Sequence, residues 1–365
     1  MSARQLIEAF DAWRDAGERM VLATVTATEG STYSKPGAQM LISGGGQFRG
    51  LLSGGCLEGD LVEHAKDVLA RQLPKTVRYD MRNRDEDQLW GLGLGCDGAI
   101  DIFLQPLDGE CEPYASIVER IKARIPSAFA LVLESGVPGL AAGAIALVDA
   151  RGHHGHAVAE HALASLVRCG RERLEKGGAA RASLELDGAT AEVLAAVIPI
   201  PVHLLVLGGG PDAVPLVRIA RELGWYVTIG DHRRAYVERM RPIADAAIEV
   251  APAELERSLD LNAYDAAVIM SHHLQSDRGY LRALARGSAP YVGLLGPRAR
   301  RERLLDDLGD AATSVAARLH GPVGLDIGAD TPEGIALSIA AEIHLALKGR
   351  RTSRDAAPAA RSGGA

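Results

Sequence analysis

The sequence predicts an α/β chain in two parts, a small N-terminal α+β domain followed by a doubly wound parallel sheet. Two observations carry the second part. An apolar run at 203–207 enters a Gly-rich turn and a helical stretch, and strand–helix alternation then continues to about residue 347. One observation carries the first part: within residues 1–107, strand-like runs and Gly clusters surround amphipathic stretches without that alternation. A chain of 365 residues exceeds one typical core. The expected divisions are residues 1–107 as an N-terminal domain, 108–200 as a connecting region, 201–347 as the parallel-sheet domain and 348–365 as a disordered tail.

Each element has its own signal. Residues 1–19 read as a helix, with Leu6, Ile7, Phe10 and Trp13 at helical spacing. Met20 to Thr28 is rich in Val and Thr and reads as a strand. QMLIS and FRGLLS, separated by Gly44, Gly45 and Gly46, form a hairpin pattern. A helix is expected from about Leu57 to Ala70, with strands near 76–81 and 99–104. Within 108–200 the signals thin out: AFALVLES, AGAIALVDARG and RASLELDG resemble strands, and His156 to Lys176 resembles a helix. His153, His154 and His156 fall in a Gly-rich turn whose expected role is a solvated hairpin tip; a metal site competes with that reading. Beyond the Gly-rich turn, YDAAVIM, a helix over 277–286, APYVGLLG, RARRERLLDDL and a final helix PEGIALSIAAEIHLALKG complete the alternation.

Composition narrows the function. Apolar residues at 47% and charged residues at 24% are ordinary for a globular chain. A net charge of −7 argues against a sequence-independent nucleic-acid binder, which needs a basic face to release counterions. No apolar run reaches bilayer length and the amphipathic start is no signal peptide, so a cytoplasmic protein without membrane contact is expected.

Two places carry chemistry. Gly208, Gly210 and Ala213 fit the G-x-G-x-x-A spacing directly after an apolar strand, and Asp231 ends the next strand where a ribose-binding acid belongs. Gly208 permits the tight turn, Gly210 lets backbone approach a diphosphate, and the helix N-terminus favours the anion. A Rossmann-like fold follows from this set, although its ligand does not. Pro211 and Pro215 remove donors from the turn. Arg233 and Arg234 suit an additional phosphate or a solvated loop. The second place is thiol chemistry. Of the four cysteines, Cys56, Cys96, Cys111 and Cys169, none forms a C-x-x-C pair, so free thiols are expected. Cys56 lies between a Gly-Gly turn and a helix start, where the partial positive charge favours thiolate. Glu58 follows in the first turn, and Cys96 sits in a comparable Gly-rich setting. The competing reading of both cysteines is a small side chain packed under a tight turn.

At these residues the chain resembles the XdhC/CoxI family. GSTYSKPGAQMLIS with GLLSGGCLEGDL, and GLGLGCDGAIDIFLQPL, are similar to that family's N-terminal signatures. YVGLLGPRARRERL and GPVGLDIGADTPEGIALSIAAEIHLAL are similar to its closing Rossmann motifs. The chain departs from the pattern at Ser34, Pro211 and Gly334, and keeps His272 and Asp277 in SHHLQSD. The resemblance implies a dimeric, non-catalytic accessory protein. Such a protein holds a molybdopterin-type cofactor, shelters it while a cysteine desulfurase-type sulfurase adds the terminal sulfur, and passes it to an apo molybdenum hydroxylase such as xanthine or carbon monoxide dehydrogenase. The expected cofactor contacts are Cys56, Glu58, Cys96, Gly208, Gly210 and Asp231, with Cys56 as the metal ligand. Two alternatives stand beside it. One is an NAD(P)-dependent oxidoreductase, for which His272 and Asp277 are the loose candidate pair, and the other a sulfurtransferase with a Cys56 persulfide.

Overall fold

The computed structural model describes residues 3–82, 98–186 and 188–348, which fall into two compact units divided between Ile200 and Pro201. Cys96 and residues 349–365 of the expected tail lie outside the described residues, whereas Lys348 ends a helix.

The first unit contains two antiparallel sheets of five strands each. Helix α1 (Ala3–Asp15) leads into β1 (Met20–Gly30), β2 (Gln39–Ser43), β3 (Phe48–Arg49), α2 (Glu58–Arg71), β4 (Lys75–Asp80) and β5 (Gly98–Pro106), in the sheet order β3-β2-β1-β5-β4. Strand β1 is central and buried on both faces, which explains its unbroken apolar start. Val21, Ala23 and Val25 face Leu57, Leu61 and Val68 of the α2 segment. Met20 and Leu22 face the other way, the period of two expected of a strand.

The stretch expected as a connecting region folds as the second sheet. Helix α3 (Tyr114–Lys122) precedes β6 (Ser127–Ser135), β7 (Ile145–Asp149), β8 (Gly152–His156), α4 (Glu160–Lys176), β9 (Ala179–Leu186) and β10 (Ala189–Val197), in the order β8-β7-β6-β10-β9. One face packs on α4 through Val132, Val148, Leu166 and Val193. The other, through Phe129, Leu131, Ile145 and Leu147, joins Leu22, Leu41 and Phe103 of the first sheet in a single cluster completed by α1 and α3. The histidines of GHHGH lie on edge strand β8 rather than at a hairpin tip. His153 and His154 are exposed. Among the described residues no three His, Cys, Asp or Glu side chains come together as a metal cage.

The second unit is a Rossmann sheet of six parallel strands. Strands β11 (His203–Leu207), β12 (Tyr226–Asp231), β13 (Ala246–Glu249), β14 (Ala266–Ile269), β15 (Tyr291–Leu294) and β16 (Leu319–His320) stand in the order β13-β12-β11-β14-β15-β16. The order reverses between β11 and β14, and ligands of such sheets bind at that point, beyond the carboxyl ends of the strands. The crossover helices are α5 (Ala213–Glu222), α6 (Arg234–Met240), α7 (Leu255–Ser258), α8 (Leu274–Arg286), α9 (Arg298–Leu308) and α10 (Ala312–Ala316), and α11 (Pro332–Lys348) follows the last strand. Leu204, Val206, Val227 and Val268 pack on α5 and α11, while Leu205, Leu207, Ala267 and Ile269 pack on α8 and α9. No helix among the described residues is long and apolar enough to cross a membrane.

Candidate functional site

In the first unit the site is a braced turn. Gly54 and Gly55 take φ values of +84° and +111°, a region that side chains resist, and they present Cys56 to solvent. The brace is Glu58, which is 1% exposed. Its Oε1 accepts the backbone N–H groups of Leu52 and Ser53 at 2.8 and 2.9 Å, and its Oε2 accepts the Ser53 hydroxyl at 2.6 Å. Ser53 Oγ in turn accepts the Leu57 amide at 2.8 Å, so the segment from Leu52 to the start of α2 is tied from inside. Burial pushes the Glu58 carboxyl up, yet the Ser53 and Leu52 donors outweigh it and leave the group below its ordinary value. The ring of Tyr33 lies against Gly54, where an added Cβ would meet its Cδ2 at 3.5 Å.

In the second unit the Gly-rich turn is in place. Gly208 has φ +122°, and a Cβ there would collide with the carbonyl oxygen of Met270, so only glycine fits. At Gly210 a Cβ would lie 2.6 Å from Asp212 Oδ1. Asp231, the expected ribose acceptor, has partners within the chain. It is 1% exposed, and its oxygens already accept Gly209 N–H at 2.7 Å, Arg233 N–H at 2.8 Å, Arg233 Nε at 2.9 Å and Arg233 Nη2 at 2.8 Å. Burial raises this carboxyl, but those donors win and hold it below the usual carboxylate value. Asp231 therefore fastens the Gly-rich turn to the end of β12. The Arg233 guanidinium lies 4.1 Å from the centroid of the Tyr236 ring, so it is a stacked cation rather than a loose loop charge.

The β14–α8 loop supplies the remaining polar groups. His272 and Asp277, the loose candidate pair, do not pair with each other. His272 has φ +58°, a strained conformation for a side-chain residue, and its Nε2 lies 2.6 Å from Asp212 Oδ2 across the switch point. Asp277 is buried, accepts the Ser271 hydroxyl, and is bonded by Arg300 Nε at 2.9 Å. A carboxylate only accepts, so in this pair the imidazole Nε2 donates to Asp212.

Comparison with known proteins decides the family. The model described as "XdhC and CoxI family" matches residues 13–80, and "XdhC Rossmann domain" matches residues 204–343. A relative from Bacillus subtilis (strain 168), named as a probable subunit of xanthine dehydrogenase, is 32% identical over 335 residues, covering 91% of this chain and 94% of that protein. The chain belongs to the XdhC and CoxI family. A solved structure described as a xanthine dehydrogenase from Bacillus halodurans aligns with this XdhC chain at a TM-score of 0.74 and 30% identity, over 96% of this chain and 98% of that one. The Escherichia coli (strain K12) protein named molybdenum cofactor insertion chaperone PaoD is 28% identical over 112 residues, 30% of this chain and 33% of its own length.

Within this XdhC chain, then, Cys56 and Glu58 share one turn, and Gly208, Gly210 and Asp231 share another. Sequence reading missed Asp212 as the partner of His272 and Arg300 as the partner of Asp277, pairs separated by 60 and 23 residues. The Asp231 brace makes a pH prediction. Because the folded-state pKa is depressed, its stabilisation is present above the unfolded value of about 4 and is lost as pH falls through the folded value. Arg233→Ala removes two of the four donors, so denaturant titrations between pH 3 and 7 should show a shallower acid limb than wild type. Identical limbs would mean that Asp231 is not held by Arg233.

Proposed function

We propose that this chain is an accessory protein that holds a molybdopterin-type cofactor and delivers it to an apo molybdenum hydroxylase. The observation that supports it is the exposed Cys56 thiol, set on a turn of two left-handed glycines and braced by the buried Glu58. Such a cofactor supplies its own dithiolene sulfurs to the metal, so the protein needs one soft donor rather than a cage. Cys56 meets that need, since thiolate suits soft metals. The relatives named above agree with the reading: one is named for xanthine dehydrogenase, another for the insertion of molybdenum cofactor. Sulfuration by a desulfurase-type partner, a homodimeric state and a cytoplasmic setting belong to the same proposal. Glu58 keeps the thiol in position without touching the metal. In the second unit, taken by itself, Gly208 leaves room for backbone approach to a phosphate.

A nicotinamide-dependent activity is less well served, because the acid that would take the ribose hydroxyls is engaged by Arg233 and Gly209. The test is anaerobic purification with metal and pterin analysis, alongside NAD(P) titration. Wild type should carry molybdenum and pterin. Cys56→Ser should lose most of the metal while its thermal midpoint stays within about 2 °C, since an exposed side chain contributes little to packing. Absence of pterin with saturable NAD(P) binding would overturn the proposal. Retained metal with lost sulfur transfer in Cys56→Ser would move the residue to a persulfide role.

A further inference from the structure

The GSTYSKPGA segment contains more than a turn. Beneath it lies a cleft of about 390 Å³ within the first unit, a size ordinary for small-molecule sites. Its walls are apolar, formed by Leu6, Leu51, Phe129 and Ile198. Four residues on its lining bear polar side chains; the Ser34 hydroxyl is taken up by the Leu51 carbonyl, which leaves three.

The first is Tyr114, at the start of α3. It is 1% exposed, with its ring held edge-on to Phe10 at a centroid distance of 5.2 Å. Its hydroxyl makes no hydrogen bond among the described residues, and burial alone pushes its pKa up. A tyrosine hydroxyl on the lining of a cleft can donate to and accept from a bound molecule. The second is Gln39, the first residue of β2, whose carboxamide likewise makes no hydrogen bond among the described residues. A carboxamide presents a donor and an acceptor side by side. The third is Tyr33 at the mouth, 60% exposed, with one face on Gly54. Tyr33 is therefore shared by the cleft and by the turn that carries Cys56.

We propose that this cleft is the seat of a planar nitrogen heterocycle whose lactam–amidine edge is read by Gln39 and Tyr114. Apolar walls take the ring faces, the carboxamide pairs with a ring N–H and its neighbouring C=O, and the tyrosine hydroxyl bonds a further ring atom. Pterins and guanine share that edge. The choice of the pterin as occupant rests on the cofactor-carrier reading; the cleft itself does not.

The test uses the full chain and the intrinsic fluorescence of 6-hydroxymethylpterin, followed by anisotropy, with guanosine monophosphate as competitor. Tyr114→Phe keeps the ring and its packing, and Gln39→Leu keeps the volume. Each should weaken pterin binding about tenfold with an unchanged thermal midpoint, the effect of one lost hydrogen bond. Displacement by guanosine monophosphate at lower concentration than by unlabelled pterin supports the site and makes a nucleotide its source. Failure of wild type to bind either probe, or equal binding by wild type and both variants, overturns the site even if molybdenum co-purifies. Tyr114-dependent pterin binding by a protein that never carries molybdenum leaves the site standing and removes the carrier function instead.

Discussion

Glu58→Ala is expected to lower the thermal midpoint of the first unit by roughly 6–12 °C and, under the proposed carrier function, to abolish cofactor retention. The carboxylate ties Leu52 N–H, Ser53 N–H and the Ser53 hydroxyl from a position that is 1% exposed. Removing it strands these donors, at about 1–3 kcal/mol for each that stays dry. A net loss near 3 kcal/mol corresponds to that shift for a unit of this size. Glu58→Gln separates the brace from its charge. The amide oxygen takes over the two backbone donors, and the amide nitrogen donates to Ser53 Oγ, which keeps a free lone pair. That variant should lose only about 1 kcal/mol. Because the Glu58 pKa is depressed in the folded state, wild type should lose the difference as pH falls below about 4.5, while Glu58→Gln should not. Equal midpoints for wild type and Glu58→Ala by calorimetry would show that the turn holds itself.

Gly208→Ala should be the most damaging single change in the second unit. The added methyl carbon would collide with the Met270 carbonyl oxygen and sit 2.7 Å from Ser271 N, both backbone atoms that cannot swing aside. The φ of +122° adds strain that an L side chain resists. Together these should cost about 4 kcal/mol or more, at the upper end of point substitutions. Gly210→Ala differs in kind, since the nearest atom is the tip of the Asp212 side chain. It should cost far less and act by moving Asp212 away from His272. Unfolding monitored by circular dichroism ranks the two, and a Gly210→Ala protein less stable than Gly208→Ala would contradict the geometry.

What could be read in advance follows the range of the forces involved. Strand β1, the β2–β3 hairpin, α2 and the Gly-rich turn announce themselves through glycine placement and local periodicity. Strand β10 does not. ATAEVLAAV is alanine-rich and lacks alternation, and it becomes a strand because β6 and β9 pair with it on both sides. Asp231 was legible as a residue of consequence, but its bonds to Arg233 and Gly209 were not. Whether an acid at a strand end faces solvent or an arginine two residues on depends on a rotamer that spacing does not encode. Tyr114 carried no signal at all, since an aromatic residue at a helix start reads as ordinary core and only the missing partner of its hydroxyl sets it apart.

The shared cluster between the two antiparallel sheets constrains how this architecture can be inherited. The family block at 13–80 contains Met20, Leu22 and Leu41, yet the atoms that cover them include Phe129, Leu131 and Leu147 from far beyond it. What the first sheet needs from the covering sheet is an apolar face of matching shape. A lineage cannot discard that sheet without finding a replacement lid. The stretch with the weakest sequence signals thus supplies half of the wall that keeps the first sheet dry.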